Sequence, residues 1–94
     1  MNITRFCFLM DGIPVELPAT ELQITGRATD GSRQTDRLQA IDAAAFELWH
    51  NGETQGRKHN DAGTIEGILD TYESYRITAR LGDEETTLYT HHTH

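Results

Sequence analysis

Histidine carries the most evident potential for chemistry in this sequence. His50 and His59 flank the pair Asn51-Gly52, and the chain closes with the letters HHTH. A structural zinc ion is normally held by four His, Cys or carboxylate ligands. If Asn51-Gly52 forms a two-residue hairpin turn, His59 faces Ala44 and His50 lies six residues further along that strand, roughly 20 Å away. The hairpin therefore offers no joint metal site by itself.

The terminal histidines are a second candidate for metal binding. His92 and His94 would share one face of a strand, and two imidazoles at that spacing chelate a divalent ion weakly. Because no third and fourth ligand can be nominated, we predict neither a metal site nor a cofactor. We expect residues 90–94 to be a frayed tail. Weak metal binding by this tail is kept as an alternative function.

The other reactive groups indicate no catalytic centre. Cys7 is predicted to be a small, partly buried strand residue, since no base or cation can be placed beside it. Glu84 and Glu85 form a carboxylate pair, but they lie at a turn, where such pairs are solvated. Gly63 and Gly67 lack the lysine and the spacing of a phosphate-binding loop. We therefore predict that the protein is not an enzyme.

Length and charge restrict the class of protein. The chain has 94 residues, one cysteine and a net charge of −7, from 15 acidic and 8 basic residues. No internal disulfide is possible, so a cytoplasmic setting is expected. The N-terminal residues 1–12 resemble neither a signal peptide nor a membrane span. The excess of acid disfavours direct binding to nucleic acid, because duplex affinity depends on Lys and Arg at the phosphates.

Turn signals at Asp11-Gly12, Asp30-Gly31, Asn51-Gly52 and Gly82-Asp83 predict successive hairpins. The first turn puts apolar residues opposite one another, in the pairs Met10–Ile13, Phe8–Val15 and Phe6–Leu17. Pro14 and Pro18 have the same parity, and both lack an N–H group. We therefore predict that residues 13–17 form a sheet edge. The last turn pairs residues with equal consistency, in the order Leu81–Glu84, Ala79–Thr86 and Ile77–Leu88.

One helix is predicted over about residues 62–74. Apolar residues recur there at helical spacing, namely Ile65, Ile68, Leu69 and Tyr72. Asp61 is suited to cap the N-terminus of this helix.

The middle of the chain fits two templates. Residues 20–29 read as a strand with Leu22 and Ile24 on one face. A three-residue loop around Gly31 would pair Ile24 with Leu38, and Leu22 with Ala40. Over residues 35–50 a strand is favoured, because Asn-Gly flanked by alternating residues is a strong hairpin signal. A helix over the same residues stays open as an alternative.

Together these elements predict a single α+β domain over residues 1–94. A largely antiparallel β-meander of successive hairpins would pack one face against the helix and leave the other face open to solvent or a partner. In that arrangement Phe46 and Leu48 face the core. Trp49 and Lys58 lie on the other face.

Candidate partner-binding residues follow from this arrangement. Trp49 is selected because Trp and Arg are enriched at binding hot spots. Arg57 and Lys58, with His59, form the only basic run of the chain. The acidic candidates lie on the predicted helix and at the last turn: Glu66, Asp70, Glu73, Asp83, Glu84 and Glu85.

The chain resembles small proteins of phages and mobile elements, including anti-CRISPR and antirestriction inhibitors, in its size, its acidity and its lack of catalytic motifs. The resemblance implies a non-enzymatic, protein-binding inhibitor. An acidic surface of this kind would occupy the basic nucleic-acid-binding groove of a defence complex. The alternative is a structural or assembly accessory protein that forms a homo-oligomer through its exposed sheet face. Neither hypothesis involves a membrane or a cofactor.

Overall fold

The computed structural model describes residues 2–92, without the side chains of Tyr89, His91 and His92. Eight strands and one helix follow one another along the chain: β1 (Thr4–Met10), β2 (Ile13–Ala19), β3 (Glu21–Ala28), β4 (Arg33–Asp42), β5 (Ala45–His50), β6 (Glu53–His59), α1 (Ala62–Leu69), β7 (Tyr72–Leu81) and β8 (Glu84–His92). Residues 35–50 thus contain no helix, so the helical alternative is wrong. The favoured strand is instead two strands, β4 and β5, joined by a turn at residues 43 and 44 that was not among the predicted turns.

The strands form two antiparallel sheets. Six strands make the larger sheet, in the order β6-β5-β4-β3-β7-β8, and β1 and β2 pair with each other in a two-stranded sheet. The predicted mostly antiparallel architecture with one helix is confirmed. The predicted meander is correct only for β3 to β6, because the chain then returns through α1 and adds β7 on the other side of β3.

The β1–β2 hairpin and α1 together cover one face of the six-stranded sheet. Phe6 and Phe8 of the hairpin are buried, and the ring centroid of Phe6 lies 5.8 Å from that of Phe46. The core cluster joins residues of all three units: Phe6, Phe8, Ala19, Leu22, Ile24, Leu38, Phe46, Leu48, Ile65, Leu69, Tyr72 and Ile77. The sequence predicted that the helix alone would pack on this face of the sheet. In the structure the β1–β2 hairpin packs there as well, because its own apolar face must also be buried.

Polar side chains hold β1 in place where a further strand would otherwise pair. The amide oxygen of Asn60 accepts a hydrogen bond from the Cys7 backbone N–H at 3.1 Å, and Glu66 Oε1 accepts one from Leu9 N–H at 3.1 Å. These bonds satisfy backbone donors that would be costly to leave unpaired. They explain why the hairpin remains a separate sheet. Cys7 itself is half-buried, as predicted.

The first hairpin has the predicted register, with Met10 opposite Ile13, Phe8 opposite Val15 and Phe6 opposite Leu17. Within residues 2–92, β2 pairs with β1 alone, so the predicted edge at residues 13–17 is confirmed. Pro14 and Pro18 face Leu9 and Arg5 across the pair.

The β3–β4 pair is displaced by two residues from the predicted register. Leu22 faces Leu38 and Ile24 faces Asp36, instead of Ala40 and Leu38. Gly31 has φ 89° and donates its N–H to the Ala28 carbonyl at 2.9 Å. The glycine is therefore the last residue of a three-residue loop, after a type I turn, and not its centre.

Bulges in β6 and β8 make the observed pairings differ from the predicted ones. In β6 the pairing skips Gln55, and Gly56 takes φ 82°, so His59 faces Ala45 and not Ala44. In β8 the pairing skips Leu88, so Ile77 faces Tyr89. Each inserted residue moves the following side chains to the opposite face of the strand.

The helix is shorter than predicted, and Tyr72 belongs to β7. Asp61 caps α1 as expected, since its Oδ1 accepts a hydrogen bond from Thr64 N–H at 2.8 Å. At the other end, the Thr71 hydroxyl donates to the Ile68 carbonyl at 2.6 Å and closes the turn. The pairing of β3 with β7 then skips Glu73, which turns Tyr72 toward the core. Within residues 2–92 no helix has the length and apolarity to cross a membrane.

Two glycines are predicted to respond in opposite ways to alanine. A Cβ at Gly26 would overlap the Ser74 carbonyl and lie 2.8 Å from Tyr75 Cα, whereas a Cβ at Gly67 meets no atom within 4 Å. We expect Gly26→Ala to lower the free energy of unfolding by about 3 kcal/mol. Gly67→Ala should raise it by about 1 kcal/mol, since alanine favours a helix. Urea denaturation measures both, and equal effects would contradict the close approach of β3 and β7.

Candidate functional site

One face of the six-stranded sheet lies uncovered by any other element of residues 2–92. Cross-strand pairs define its rows, because paired residues share a face. The first row runs Trp49, Arg37, Gln23, Thr78 and Thr87, and the next runs Glu47, Gln39, Glu21, Arg80 and Glu85. We call this surface the open face. It is polar, whereas the opposite face carries the core.

Trp49 lies half-buried on the open face and is held by its neighbours. Its indole Nε1 donates to Glu47 Oε1 at 3.1 Å, and the guanidinium carbon of Arg37 lies 5.1 Å from its ring centroid. Arg37 Nε in turn lies 3.5 Å from Glu21 Oε1, which is ion-pair range. A cation over an indole ring is attracted by the negative face of the ring. These contacts link the indole of Trp49 to the side chains of Glu47, Arg37 and Glu21.

Charge is segregated between the open face and the rest of the molecule. Six of the seven arginines lie on the open face, together with four carboxylates: Glu21, Glu47 and Glu85, and Asp42, which pairs with Arg57. Of the 15 acidic and 8 basic residues, 11 acidic and 2 basic residues then lie elsewhere. The net charge of −7 thus hides a face with an excess of positive charge.

Three of these arginines border a shallow cleft at one end of β3, β4 and β7. The cleft has a volume of about 390 Å³. Its lining includes the side chains of Arg27, Arg33 and Arg76 and three hydroxyl residues, Thr25, Ser74 and Thr90. We call it the arginine cleft.

On the other face of the sheet, the carboxyl group of Asp36 is buried in a network of side chains. Asp36 is 1% exposed. Its Oδ2 accepts hydrogen bonds from the Tyr72 hydroxyl at 2.6 Å and from Gln34 Nε2 at 3.1 Å, and its Oδ1 lies 2.8 Å from His50 Nδ1. Gln34 Nε2 also lies 2.8 Å from the Thr71 hydroxyl oxygen. The network links β4, β5, β7 and the turn after α1.

A second cleft of about 390 Å³ adjoins this network beneath α1. His50 and Lys58 border it on the sheet side, and Thr64, Gly67 and Ile68 border it on the helix side. Because an ionised carboxylate only accepts hydrogen bonds, the contact with Asp36 places a proton on Nδ1 of His50. An Asp–His pair of this kind can orient an imidazole, which is a requirement of general base catalysis.

Trp49 and the two basic candidates predicted from the sequence lie on different faces of the sheet. Trp49 and Arg57 are on the open face, and Arg57 pairs with Asp42 at 3.2 Å. Lys58 was predicted to lie outward with Trp49, but it pairs with Phe46 and borders the cleft beneath α1. The bulge at Gln55 is the cause, since it reverses the parity of the residues that follow it.

The acidic candidates do not form one surface. Glu66 binds the backbone of Leu9 from α1, Asp70 is the residue after the last turn of α1, and Glu73 lies in β7 and not on the helix. Asp83, Glu84 and Glu85 lie around the β7–β8 turn, where Glu85 pairs with Arg80 at 2.9 Å. The ten residues of β7 separate the two groups by roughly 30 Å.

No three His, Cys, Asp or Glu side chains within the described part of the chain are placed to hold a metal ion. The predicted pair His92 and His94 falls outside this description, since the side chain of His92 and all of residue 94 are not included. The backbone of β8 continues to His92, which faces Ser74.

Sequence reasoning missed Asp36 and the arginine cleft. Asp36 stands among polar residues in RQTDRLQ, and its burial depends on a register that differs from the predicted one. The arginines had a detectable signal, because Arg27, Arg33 and Arg37 have the parity opposite to that of Leu22, Ile24 and Leu38. The alternation that assigns the core thus also assigns the arginines to the other face.

No protein-family model, curated protein or solved structure matches this chain.

Tyr72→Phe tests the buried network. The substitution removes the hydroxyl that donates to Asp36 at 2.6 Å and leaves the ring in the core. Because hydrogen bonds to charged groups are stronger than neutral ones, we expect a loss of about 2 kcal/mol in the free energy of unfolding. The loss should be much smaller in an Asp36→Asn background. Equal losses in both backgrounds would show that the two groups do not interact.

The same contact predicts a dependence of stability on alkaline pH. Burial, and then the hydrogen bond and charge of Asp36, raise the pKa of Tyr72 above its ordinary value of 10.0. The folded state therefore retains a proton that the unfolded state loses above about pH 10. The stabilisation is complete below that pH and falls by roughly 1.4 kcal/mol per pH unit above it. Denaturation between pH 8 and 11.5 should show a shallower decline for Tyr72→Phe than for the natural chain.

Proposed function

We propose that the protein is a non-enzymatic binding module and that an acidic surface of a protein partner covers the open face. One observation carries the proposal: the β1–β2 hairpin and α1 cover one face of the six-stranded sheet, and no element of residues 2–92 covers the other. Such a face either remains in water or receives a partner. The excess of arginines on this face favours a partner of opposite charge.

The residues around Trp49 suit the centre of such an interface. Tryptophan and arginine are the residues that most often dominate binding energy. Here Arg37 and Glu47 already hold the indole in place, so little side-chain entropy is lost when a partner binds. Six arginines against four carboxylates on the open face favour acidic over basic partner surfaces.

The geometry around Asp36 supports a binding role over a catalytic one. Its two carboxyl oxygens are taken up by Tyr72, Gln34 and His50, which belong to three strands. A carboxyl group with this many partners in the core acts as a cross-link between elements. The Asp36–His50 contact is assigned to folding on this ground.

A second candidate function rests on the acidic side of the molecule. We also propose that the protein acts as an inhibitor of the phage or mobile-element kind, whose acidic surface enters a basic nucleic-acid-binding groove. The segregation of charge favours it, because the molecule outside the open face has 11 acidic and 2 basic residues. A single groove would meet either the group at the β7–β8 turn or the group near α1, since they lie at opposite ends of β7.

Self-association is the third possibility. The open face of one copy and the acidic side of another are complementary in charge, so the structure allows a head-to-tail oligomer. Size-exclusion chromatography with light scattering separates this case from a foreign partner before any capture experiment begins.

Substitution of Trp49 tests the proposed interface. The full chain is used to capture binding proteins from its native host, and the partner is then purified and titrated by calorimetry. We expect Trp49→Ala to raise Kd by 10-fold or more, as for a hot-spot residue. Ile13→Ala is the matched control, because Ile13 is 65% exposed on the hairpin, away from the open face.

The outcomes distinguish the candidate functions. If Asp83→Arg with Glu84→Arg abolishes binding and Trp49→Ala leaves Kd unchanged, the acidic side is the interface and the open-face proposal is wrong. A concentration-dependent oligomer that Trp49→Ala dissociates identifies a second copy as the occupant. Equal losses for Trp49→Ala and Ile13→Ala would contradict an interface centred on Trp49.

A further inference from the structure

The arginine cleft brings three cationic side chains together from three strands. Arg27 and Arg33 are directly opposite each other in the β3–β4 pair. Arg76 pairs with Thr25, two residues before Arg27, and so lies diagonal to Arg27 across the β3–β7 pair. The Cβ atoms of direct partners lie about 5 Å apart, and those of diagonal neighbours about 7 to 8 Å. All three side chains are exposed.

These three arginines have no counter-charge among residues 2–92, in contrast to the other arginines of the open face. Arg37, Arg57 and Arg80 pair with Glu21, Asp42 and Glu85. Arg27, Arg33 and Arg76 make no side-chain hydrogen bond or ion pair within the described residues.

The acidic residue in the loop that joins Arg27 to Arg33 is already occupied. The carboxylate of Asp30, in the β3–β4 loop, accepts hydrogen bonds from the Ser32 backbone N–H at 2.9 Å and the Ser32 hydroxyl at 2.6 Å. These bonds lower the pKa of Asp30. Like charges directly opposite each other in a sheet are unfavourable. Arg27, Arg33 and Arg76 nevertheless lie close together in a protein of net charge −7. This concentration of positive charge favours the binding of an anionic ligand.

We propose that the arginine cleft binds the doubly charged oxyanion of a phosphate monoester. The guanidinium group presents a planar fork of N–H donors that matches phosphate oxygens, and three forks surround one compact dianion. Thr25, Ser74 and Thr90 add hydroxyl groups to the same lining. The volume of about 390 Å³ accommodates the phosphate and part of the group that carries it.

A compact anion fits the cleft better than a nucleic-acid backbone does. A strand of nucleic acid needs a continuous track of cations along its phosphates. The remaining open-face arginines are already neutralised by their own carboxylates, and the surface beyond the open face is acidic. Among the described residues of the open face, the arginines without an ion pair are thus confined to one end of the sheet.

This inference deepens the proposed function, since a phosphate carried by the partner would reach the cleft when the partner covers the open face. A small phosphate ester free in solution presents the same chemistry. Both sources share the dianionic monoester, and the ligands of the test separate them.

The test is an NMR titration of the ¹⁵N-labelled full chain at constant ionic strength. Four ligands are compared: inorganic phosphate, a phosphoserine peptide, the same peptide without phosphate, and single-stranded oligothymidine. We expect saturable shifts of the backbone amides of residues 25–27, 33 and 74–76 with the two phosphate-monoester-like ligands. The unphosphorylated peptide should leave them unchanged. A phosphopeptide that binds more tightly than inorganic phosphate indicates a phosphate carried on the partner, and equal affinity indicates a small free ester.

Variants give the second readout. Arg27→Gln with Arg33→Gln should weaken phosphate binding by at least 10-fold, while Arg57→Gln, on the same face but paired with Asp42, should leave it unchanged. Phosphate should also raise the melting temperature of the natural chain and not that of the double variant, since a ligand that binds the native state stabilises it. A double variant that is fully folded without phosphate shows that lost binding is not lost structure.

Three results would overturn the inference. The first is non-saturable shifts with every anion, and the second is equal loss of binding for Arg57→Gln. The third is tighter binding of oligothymidine than of the phosphopeptide, which would indicate a polyanion surface. A partner that still binds with unchanged Kd after Arg27→Gln and Arg33→Gln, but not after Trp49→Ala, would end the cleft proposal and leave the binding module intact.

Discussion

The structure depends on the burial of one carboxyl group, that of Asp36. A charged or polar group that lies 1% exposed is costly unless its hydrogen bonds are made. Tyr72, Gln34 and His50 supply those bonds. They can do so only if β4 faces β3 with Asp36 opposite Ile24, and if the pairing of β7 skips Glu73 so that Tyr72 turns inward. The Asp36 network therefore selects one register for three strands, where apolar packing alone would accept neighbouring ones.

The turns are the part of the fold that the sequence encodes most locally. Asp11-Gly12 and Asn51-Gly52 each take a positive φ at both residues, as a two-residue hairpin turn requires, and each pairing is correct next to its turn. The pairing near Gly82 is correct up to Thr78 and Thr87 for the same reason. One error comes from the place of Gly31 in the β3–β4 loop. The other pairing errors begin where an extra residue enters a strand, because a bulge has no strong local signature and reverses every later assignment of faces. The helix prediction failed at Tyr72. This residue faces the core in β7, and a helix would have placed it on the apolar stripe with Ile65, Ile68 and Leu69, so its burial does not distinguish the two structures.

The candidate site was less predictable than the fold because it depends on long-range geometry. Net charge is a sum over the whole chain and contains no information about which face a residue occupies. Once the strands are assigned, the parity of Arg27, Arg33 and Arg37 against the core residues of the same strands reveals the concentration of positive charge. Lys58 shows the limit of that reasoning, since the skipped residue Gln55 moves it to the core side. The pairing of Arg27 with Arg33 also depends on the β3–β4 loop, because it forms only when Gly31 is the last of the three loop residues.

A two-sided sheet separates the residues that determine folding from those that are free to serve binding. The core face of β3 and β4 needs Leu22, Ile24 and Leu38 to fill the space beneath the hairpin and α1, and it tolerates little change. The open face has no such packing requirement, so its residues are not explained by the fold. Charge repulsion between Arg27 and Arg33 is unfavourable for folding, and three neighbouring arginines show that a carboxylate partner could have relieved it. Residues that oppose stability without a structural gain are most reasonably assigned to function. We therefore propose the open face, and not the Asp36 network, as the functional side of the molecule.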